Sequence, residues 1–289
     1  MEKDLVSIVV LAYNHEKYIS QCLSSLAAQS YANFEIVFID AGSGDDTFQK
    51  GKALLEKFKL RHTAIATKGN GICKNLNIAL AGHVNGEYFS VISADDWWPE
   101  DNLKDKVGFL IGNQAIALVY SGLTTFIEET GEYKDPGKRY FSGNVYQQLL
   151  MDNFISAHAA VLRTAIFKEV GYYDEASAIE DWDMWLRIAK KCEVGFIPAH
   201  RVFYRPHLAN FSNNESRMLE NNLHILAKHT GDPVGRSQYL KTLMFSCANK
   251  AEIGETWRVF REYGRLDAFS LRQLVKSVCV KAGLVQRAV

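Results

Sequence analysis

Along the first half of the chain, apolar residues fall into blocks whose period keeps changing. Val6-Ser7-Ile8-Val9-Val10-Leu11 is apolar but for one serine, the pattern of a strand buried on both faces of a sheet. Tyr13-Asn14-His15 interrupts it. Ile19, Cys22, Leu23 and Leu26 then recur at the spacing of an amphipathic helix. Glu35–Asp40 predicts the next strand, ending in Gly42-Ser43-Gly44, and Asn75–Ala81 a short helix packing through Leu76, Ala79 and Leu80. Tyr88–Ile92 predicts a third strand, Leu103, Val107, Leu110 and Ile111 mark another helix, and Ile116–Tyr120 predicts a fourth strand. Strands alternating with helices through short connections predict an α/β fold, Rossmann-like, with a mostly parallel sheet flanked by helices and right-handed crossovers.

Past Ser121 the rhythm changes. Residues 122–147 are rich in Gly, Thr, Tyr and charge, which fits antiparallel strands or a long covering loop. Gly171-Tyr172-Tyr173-Asp174 punctuates the chain before a helix with Trp182, Trp185, Leu186 and Ala189 on one face, and Val194–Ile197 predicts a last strand. From about residue 216 the pattern is helical only. The expected organisation is therefore a domain over 1–215, with halves of about 1–121 and 122–215, and a helical C-terminal extension over 216–289.

Composition narrows the class. The 289 residues are 47% hydrophobic and 23% charged, ordinary globular material, and a net charge of zero gives no global field to attract nucleic acid. Cys22, Cys73, Cys192, Cys247 and Cys279 are scattered with no CxxC pair, which fits reduced thiols in the cytoplasm better than a disulfide framework or a zinc site. Met1-Glu2-Lys3-Asp4 leads straight into a strand, unlike a signal peptide. No stretch approaches the roughly 20 apolar residues that span a bilayer, so the expected location is cytoplasmic, at most peripheral on a membrane face.

The chemistry concentrates at strand ends. Asp95 and Asp96 follow the run Tyr88–Ile92, and a buried strand cannot hold two ionised carboxylates without partners. They belong at its carboxyl end, where open α/β sheets place their ligands, and where adjacent carboxylates suit a divalent cation. Ala12-Tyr13-Asn14, Asp40-Ala41-Gly42-Ser43 and Ser93-Ala94-Asp95-Asp96 are three polar tips that a parallel sheet brings to one edge. Such an edge can take the base and ribose of a nucleotide, with a cation on its diphosphate. Trp97, Trp98, Trp182 and Trp185 flank the acidic motifs, where an indole either holds a sugar ring or packs in the core.

Ser7–Asn14, the segment Ile36–Asp45, Gly69–Ala81 with Lys74-Asn75, Ser93–Asp96, Glu180-Asp181 and Tyr204-Arg205-Pro206-His207, taken in order, resemble family 2 glycosyltransferases of the GT-A fold over roughly residues 5–215. The resemblance implies an inverting, metal-dependent transfer of a sugar from a nucleoside-diphosphate donor to a hydroxyl of a glycan or lipid-linked acceptor. It implies Asp181 as general base and Mn²⁺ or Mg²⁺ as cofactor, with Asp96 as first ligand, Asp95 on ribose or metal, and His207 on metal or diphosphate. Ala12, Tyr13, Asn14, Asp40, Lys74, Asp95, His158 and Arg205 are then expected around the donor. Two positions depart from the pattern: Ala41 stands where a second Asp would bond the base, and Ser93 where an Asp is common. Ala41 leaves the donor base open and motivates an alternative, a catalytically silent nucleotide-sugar-binding or assembly subunit. A nucleotidyltransferase would want a Gly-rich, basic phosphate loop after the first strand, and Ala12-Tyr13-Asn14-His15 offers none.

The C-terminal extension is basic. Across Trp257–Val289, Arg258, Arg261, Arg265, Arg272, Lys276, Lys281 and Arg287 outnumber Glu262 and Asp267, while Leu271, Leu274, Val275, Val278 and Leu284 supply an apolar side. Such helices either lie among anionic lipids or pack on the body of the protein with a solvated basic face.

Overall fold

The apolar runs of the first half become the centre of an eight-stranded sheet in a computed structural model that describes residues 1–207, 210, 213–250 and 252–282. Its strands are β1 (Glu2–Ala12), β2 (Phe34–Asp40), β3 (His62–Ala66), β4 (Gly86–Ser93), β5 (Leu118–Ile127), β6 (Glu132–Lys134), β7 (Ala160–Arg163) and β8 (Val194–Tyr204). They are ordered β3-β2-β1-β4-β7-β5-β6, with β8 paired to β5. The β3-β2, β2-β1, β1-β4 and β5-β8 pairs are parallel; short β7 runs antiparallel to both β4 and β5 and joins the two parallel sections. The helices interleaved with the first strands are α1 (Ile19–Ala27), α2 (Thr47–Lys57), α3 (Ile72–Gly82) and α4 (Asn102–Gly112), followed later by α5 (Tyr146–Met151), α6 (Phe167–Val170) and α7 (Glu180–Ala189).

The expected α/β sheet flanked by helices is present, with several elements that hydrophobic patterning passed over, among them α2, β3 and β7. Helix α2 buries only Thr47, Gly51 and Leu55 and has no strong apolar stripe, while β3 is an edge strand whose residues are only partly covered. The Ala160–Arg163 segment is too short to show a period. The region expected as antiparallel strands or loop is the β5–β6 hairpin, paired from Thr125–Lys134 to Ile127–Glu132.

Val6, Ile8 and Val10 on β1 share a core with Ile36, Phe38, Ile92 and the buried stripe Ile19, Cys22, Leu23 and Leu26 of α1. Fully burying each such aliphatic side chain contributes roughly 1.5–3 kcal/mol. Gly51 lets α2 approach β2 closely, because a Cβ there would lie 2.5 Å from the Phe38 ring.

The chain forms two compact units. Met1–Leu149 with Asn153–His207 makes the first; Leu150–Asp152 and the described residues after His207 make the second. The second contains α8 (Glu215–Ala227), α9 (Pro233–Asn249), α10 (Ile253–Tyr263) and α11 (Ala268–Lys281), around a small core of Leu240, Met244, Val259 and Tyr263. Arg287 and Leu284, counted above in the basic extension, lie outside the described residues. Among the described residues, no helix is long and apolar enough to cross a membrane.

Candidate active site

Strand register sets the site. Ala12 lies opposite Asp40, and Leu11 opposite Ser93, so the tips of β1, β2 and β4 share one edge of the sheet. Hydrogen bonds lock the first two together. The backbone N–H of Ala41 donates to the Ala12 carbonyl (2.8 Å), Asn14 N–H to Ser43 Oγ (2.8 Å), Gly44 N–H to Asn14 Oδ1 (2.8 Å) and His15 N–H to Thr47 Oγ1 (2.8 Å). Asn14 has φ of 55°, a left-handed conformation that asparagine tolerates well. Asp40 is buried and organises its own turn: it accepts the N–H groups of Gly42 (3.1 Å) and Ser43 (2.9 Å) and the Ser43 hydroxyl.

After β4 the chain turns, with Ala94 N–H donating to the Leu11 carbonyl at 2.8 Å, and both acids that follow are buried. Arg205, just beyond β8, clamps this turn. Its backbone N–H donates to Asp96 Oδ1 (2.9 Å) and its Nε to the Asp95 carbonyl (3.1 Å). Its guanidinium is nearly buried, bonds Gln21 Oε1, lies 3.5 Å from Glu128, and stacks 4.8–5.2 Å from the rings of Trp97, Tyr18 and Phe126. A planar, always-charged guanidinium suits such an aromatic, hydrogen-bonded box.

Asp95 and Asp96 face different partners. His207 Nε2 is 2.8 Å from Asp95 Oδ2, and His15 Nε2 is 3.8 Å from the same oxygen. Burial works against the Asp95 charge, but the His207 hydrogen bond and the charge of His15 outweigh it and hold this carboxyl well below the usual range. The same bond raises His207, whereas burial lowers His15. His207 also stacks on Tyr18 with ring centroids 5.3 Å apart. Asp96 is instead paired with His158 Nδ1. Burial opposes the imidazolium, yet the neighbouring Asp96 carboxylate prevails and raises His158 to about 9.

His15, Asp95 and His207 offer ligand atoms within 4.8 Å of one another, so they can hold a metal ion. The donor set fits: one carboxylate oxygen and two imidazoles, of which buried His15 favours its neutral, ligating form and leaves Nδ1 without a hydrogen-bond partner. Two imidazoles suit a transition cation better than Mg²⁺, which prefers all-oxygen surroundings. This cluster differs from the expected set of Asp96, Asp95 and His207. It shares Asp95 and His207 with that set; the Asp96 oxygens meet the Arg205 N–H and His158, and His15 joins the other two. In sequence His15 shows only as part of the break after β1; its sole signal is an imidazole one residue past a polar strand tip.

Farther along the chain, Glu180 and Asp181 open helix α7. Asp181 Oδ1 accepts Asn153 Nδ2 at 3.0 Å and the Trp182 N–H at 2.6 Å. Burial raises the carboxyls of both residues; Asp181 repels Glu180 further, and His158 eases both charges. His158 therefore stands electrostatically between the acid pair after β4 and the acid pair of α7. Asp183 is buried against Arg187 (2.9 Å), which fastens α7 to the Val170, Gly171 and Tyr172 carbonyls. The four tryptophans are core residues: Trp98, Trp182 and Trp185 donate their indole N–H to the carbonyls of His158, Leu149 and Ile155.

Of the residues expected around the donor, Tyr13 is exposed at the β1 tip, Ala12 is buried beneath it, and Asn14 and Asp40 shape the loop between the first two tips. Asp95, His158 and Arg205 are connected through the acid turn, and Lys74 is exposed in the first turn of α3.

The profile of Glycosyl transferase family 2 matches residues 7–171. A Haemophilus influenzae protein named as an uncharacterized glycosyltransferase is 29% identical over 70% of this chain, which spans 66% of that protein's length, just under two thirds. Escherichia coli WfgD, named as a UDP-Glc:alpha-D-GlcNAc-diphosphoundecaprenol beta-1,3-glucosyltransferase, is 26% identical over 83% of this chain and 92% of its own. Two solved structures share the fold at 17% identity. Residues 1–349 of Staphylococcus aureus TarS with UDP-GlcNAc give a TM-score of 0.61, covering 96% of this chain and 92% of that one. Mannosyltransferase PcManGT from Pyrobaculum calidifontis, with GDP-Man and Mn²⁺, gives 0.65, covering 96% and 80%.

Proposed function

Because the chain belongs to glycosyl transferase family 2, we propose that it transfers a sugar, with inversion, from a nucleoside-diphosphate donor to a hydroxyl of a glycan or lipid-linked acceptor. One observation carries this reading: a metal-competent His15–Asp95–His207 cluster lies at the shared edge of three parallel strand tips, and His158 lies in the electrostatic field of both its acid turn and the half-buried Glu180–Asp181 pair. A divalent cation, Mn²⁺ in preference to Mg²⁺, held by His15, Asp95 and His207 would supply Lewis-acid neutralisation of the departing diphosphate.

The remaining work falls to side chains of this chain. Asp181 takes the proton from the acceptor hydroxyl as it attacks the anomeric carbon. Its raised affinity for a proton suits a base working near neutrality. Asn153 and the Trp182 N–H fix the orientation of Asp181 through its Oδ1 oxygen. Single displacement from the opposite face of the sugar inverts the anomeric centre. Tyr13 and the loop built by Asn14 and Asp40 receive the nucleoside. Ala41 supplies no side-chain acceptor there, so backbone groups or neighbouring side chains read the base. TarS with UDP-GlcNAc and PcManGT with GDP-Man are examples of the fold with two different bases.

The test is a transfer and hydrolysis assay with UDP- and GDP-sugars, with Mn²⁺ or Mg²⁺ and with a chelator. Asp181→Asn is expected to lower kcat by roughly 10²–10⁴, the usual contribution of a general base, with donor binding kept. Transfer by Asp181→Asn at the wild-type rate would overturn the assignment of the base. Metal-dependent nucleotide binding without hydrolysis or transfer would favour the silent binding subunit.

A further inference from the structure

Helix α11 is built inside out. Its buried positions are Ser270, Gln273, Leu274, Ser277 and Val280, three of them polar, whereas Leu271, Val275 and Val278 are 48%, 62% and 51% exposed. The buried serines are satisfied locally: Ser270 is part of the capping box with Asp267, and Ser277 Oγ donates to the Leu274 carbonyl. A helix that needed only to pack on α9 and α10 would place its aliphatic residues inward. At about 100° per residue, Val278, Leu271 and Val275 fall within an arc of about 60°. Arg272 and Lys276 border this stripe on one side and Lys281 on the other. Ala268–Lys281 holds no Asp or Glu, and Asp267, the acid that precedes it, is occupied by the Ser270 N–H (2.8 Å) and the Tyr263 hydroxyl (3.0 Å). Arg272 and Lys281 project into solvent, and Lys276 lies over the Phe245 ring at 5.0 Å.

We propose that this face of α11 docks on an anionic lipid surface. Leu271, Val275 and Val278 enter the boundary between headgroups and acyl chains, and Arg272, Lys276 and Lys281 meet the lipid phosphates. An apolar stripe edged by cations on both sides is the pattern of a helix lying in a membrane interface. Charge argues against a second copy of this chain as the occupant. A two-fold pairing of the stripe would set the same three cations against one another with no acid on either copy of the helix to compensate. Three side chains also fall well short of the roughly 800 Å² per partner that a stable protein interface buries.

Flotation of the full chain with phosphatidylcholine vesicles, with and without phosphatidylglycerol, tests this directly. The protein is expected to float with the anionic vesicles, to stay behind with phosphatidylcholine alone, and to be released by salt. Val275→Glu is expected to abolish flotation. The Arg272→Gln, Lys281→Gln pair, which leaves the apolar stripe intact, is expected to weaken it by roughly fivefold per cation removed. These positions are solvent-exposed, so thermal melts by circular dichroism should match wild type. If Val275→Glu misfolds, the glutamine pair alone decides the outcome. Absence of wild-type flotation with anionic vesicles, or unchanged flotation of the variants, would overturn the proposal. So would a wild-type dimer in solution that does not float and that Val275→Glu converts to monomer.

Discussion

Asp95 and Asp96 are neighbours in sequence with opposite surroundings, and that contrast decides what each can do. Asp95 is held ionised beside two imidazoles, while Asp96 is closed off by a backbone N–H and an imidazolium. Asp95→Asn should therefore weaken Mn²⁺ binding by more than the roughly 10–100-fold typical of losing an outer partner of a metal ligand, with Asp96→Asn inside that range. Titration calorimetry checks the order, and a larger loss for Asp96→Asn would refute it. The His158–Asp96 pair has a pH signature. His158 titrates in the fold at about 9 against about 6.5 unfolded, so its stabilisation is fully present below about pH 6.5 and is lost as pH rises through 9. The stability difference between wild type and His158→Gln, measured in chelator, should shrink from about pH 6 to about pH 10, by up to ~3 kcal/mol. At this scale the sequence marked Asp95 and Asp96 because two charges cannot stay inside a strand without partners, and Asp181 and His207 through the family resemblance of the motifs around them. It could not show which acid meets which histidine, since side chains 112 residues apart in sequence, such as Asp95 and His207, meet only through the sheet.

Helices and strands were legible wherever one face was strongly apolar. Strand β1, helix α1, strand β2 and strand β4 follow from their runs of Val, Ile and Leu. Helix α2 does not, because a glycine and a threonine serve where larger residues would have advertised it. Gly51→Ala tests that point: its Cβ would meet both Phe38 and Ile19, so a loss of about 1–3 kcal/mol from overpacking is expected in denaturant unfolding. An unchanged midpoint would mean that α2 can shift outward at little cost. Strand β7 was invisible for another reason. Four residues carry no period, and their antiparallel pairing between β4 and β5 depends on partners far away in the chain.

At the scale of the molecule, the two compact units differ in how much apolar surface each withdraws from water. The sheet unit has a long continuous core, while the described helical unit is centred on Leu240, Met244, Val259 and Tyr263. Hydrogen exchange followed by mass spectrometry should find the slowest amides in β1, β2 and β4 and faster exchange in α8–α11. Uniform protection across both would show that the chain opens as one cooperative body. The helical character after residue 216 was readable from the pattern; the inverted packing of α11 was not, because periodicity reports that a helix has two faces without telling which one turns inward.

The three ligand candidates come from far-separated stretches of the chain, after β1, after β4 and after β8, with Asp95 and His207 lying 112 residues apart. A cation shared by them would act as a removable staple, closing long loops in the folded state that an unfolded chain has no means to close. Its stabilisation would grow with the logarithm of its concentration over its dissociation constant. Melting of the ligand-free chain should then rise with added Mn²⁺ and fall with chelator, with His207→Ala losing most of that response. Metal supply would thereby govern how long the protein stays folded as well as how fast it works.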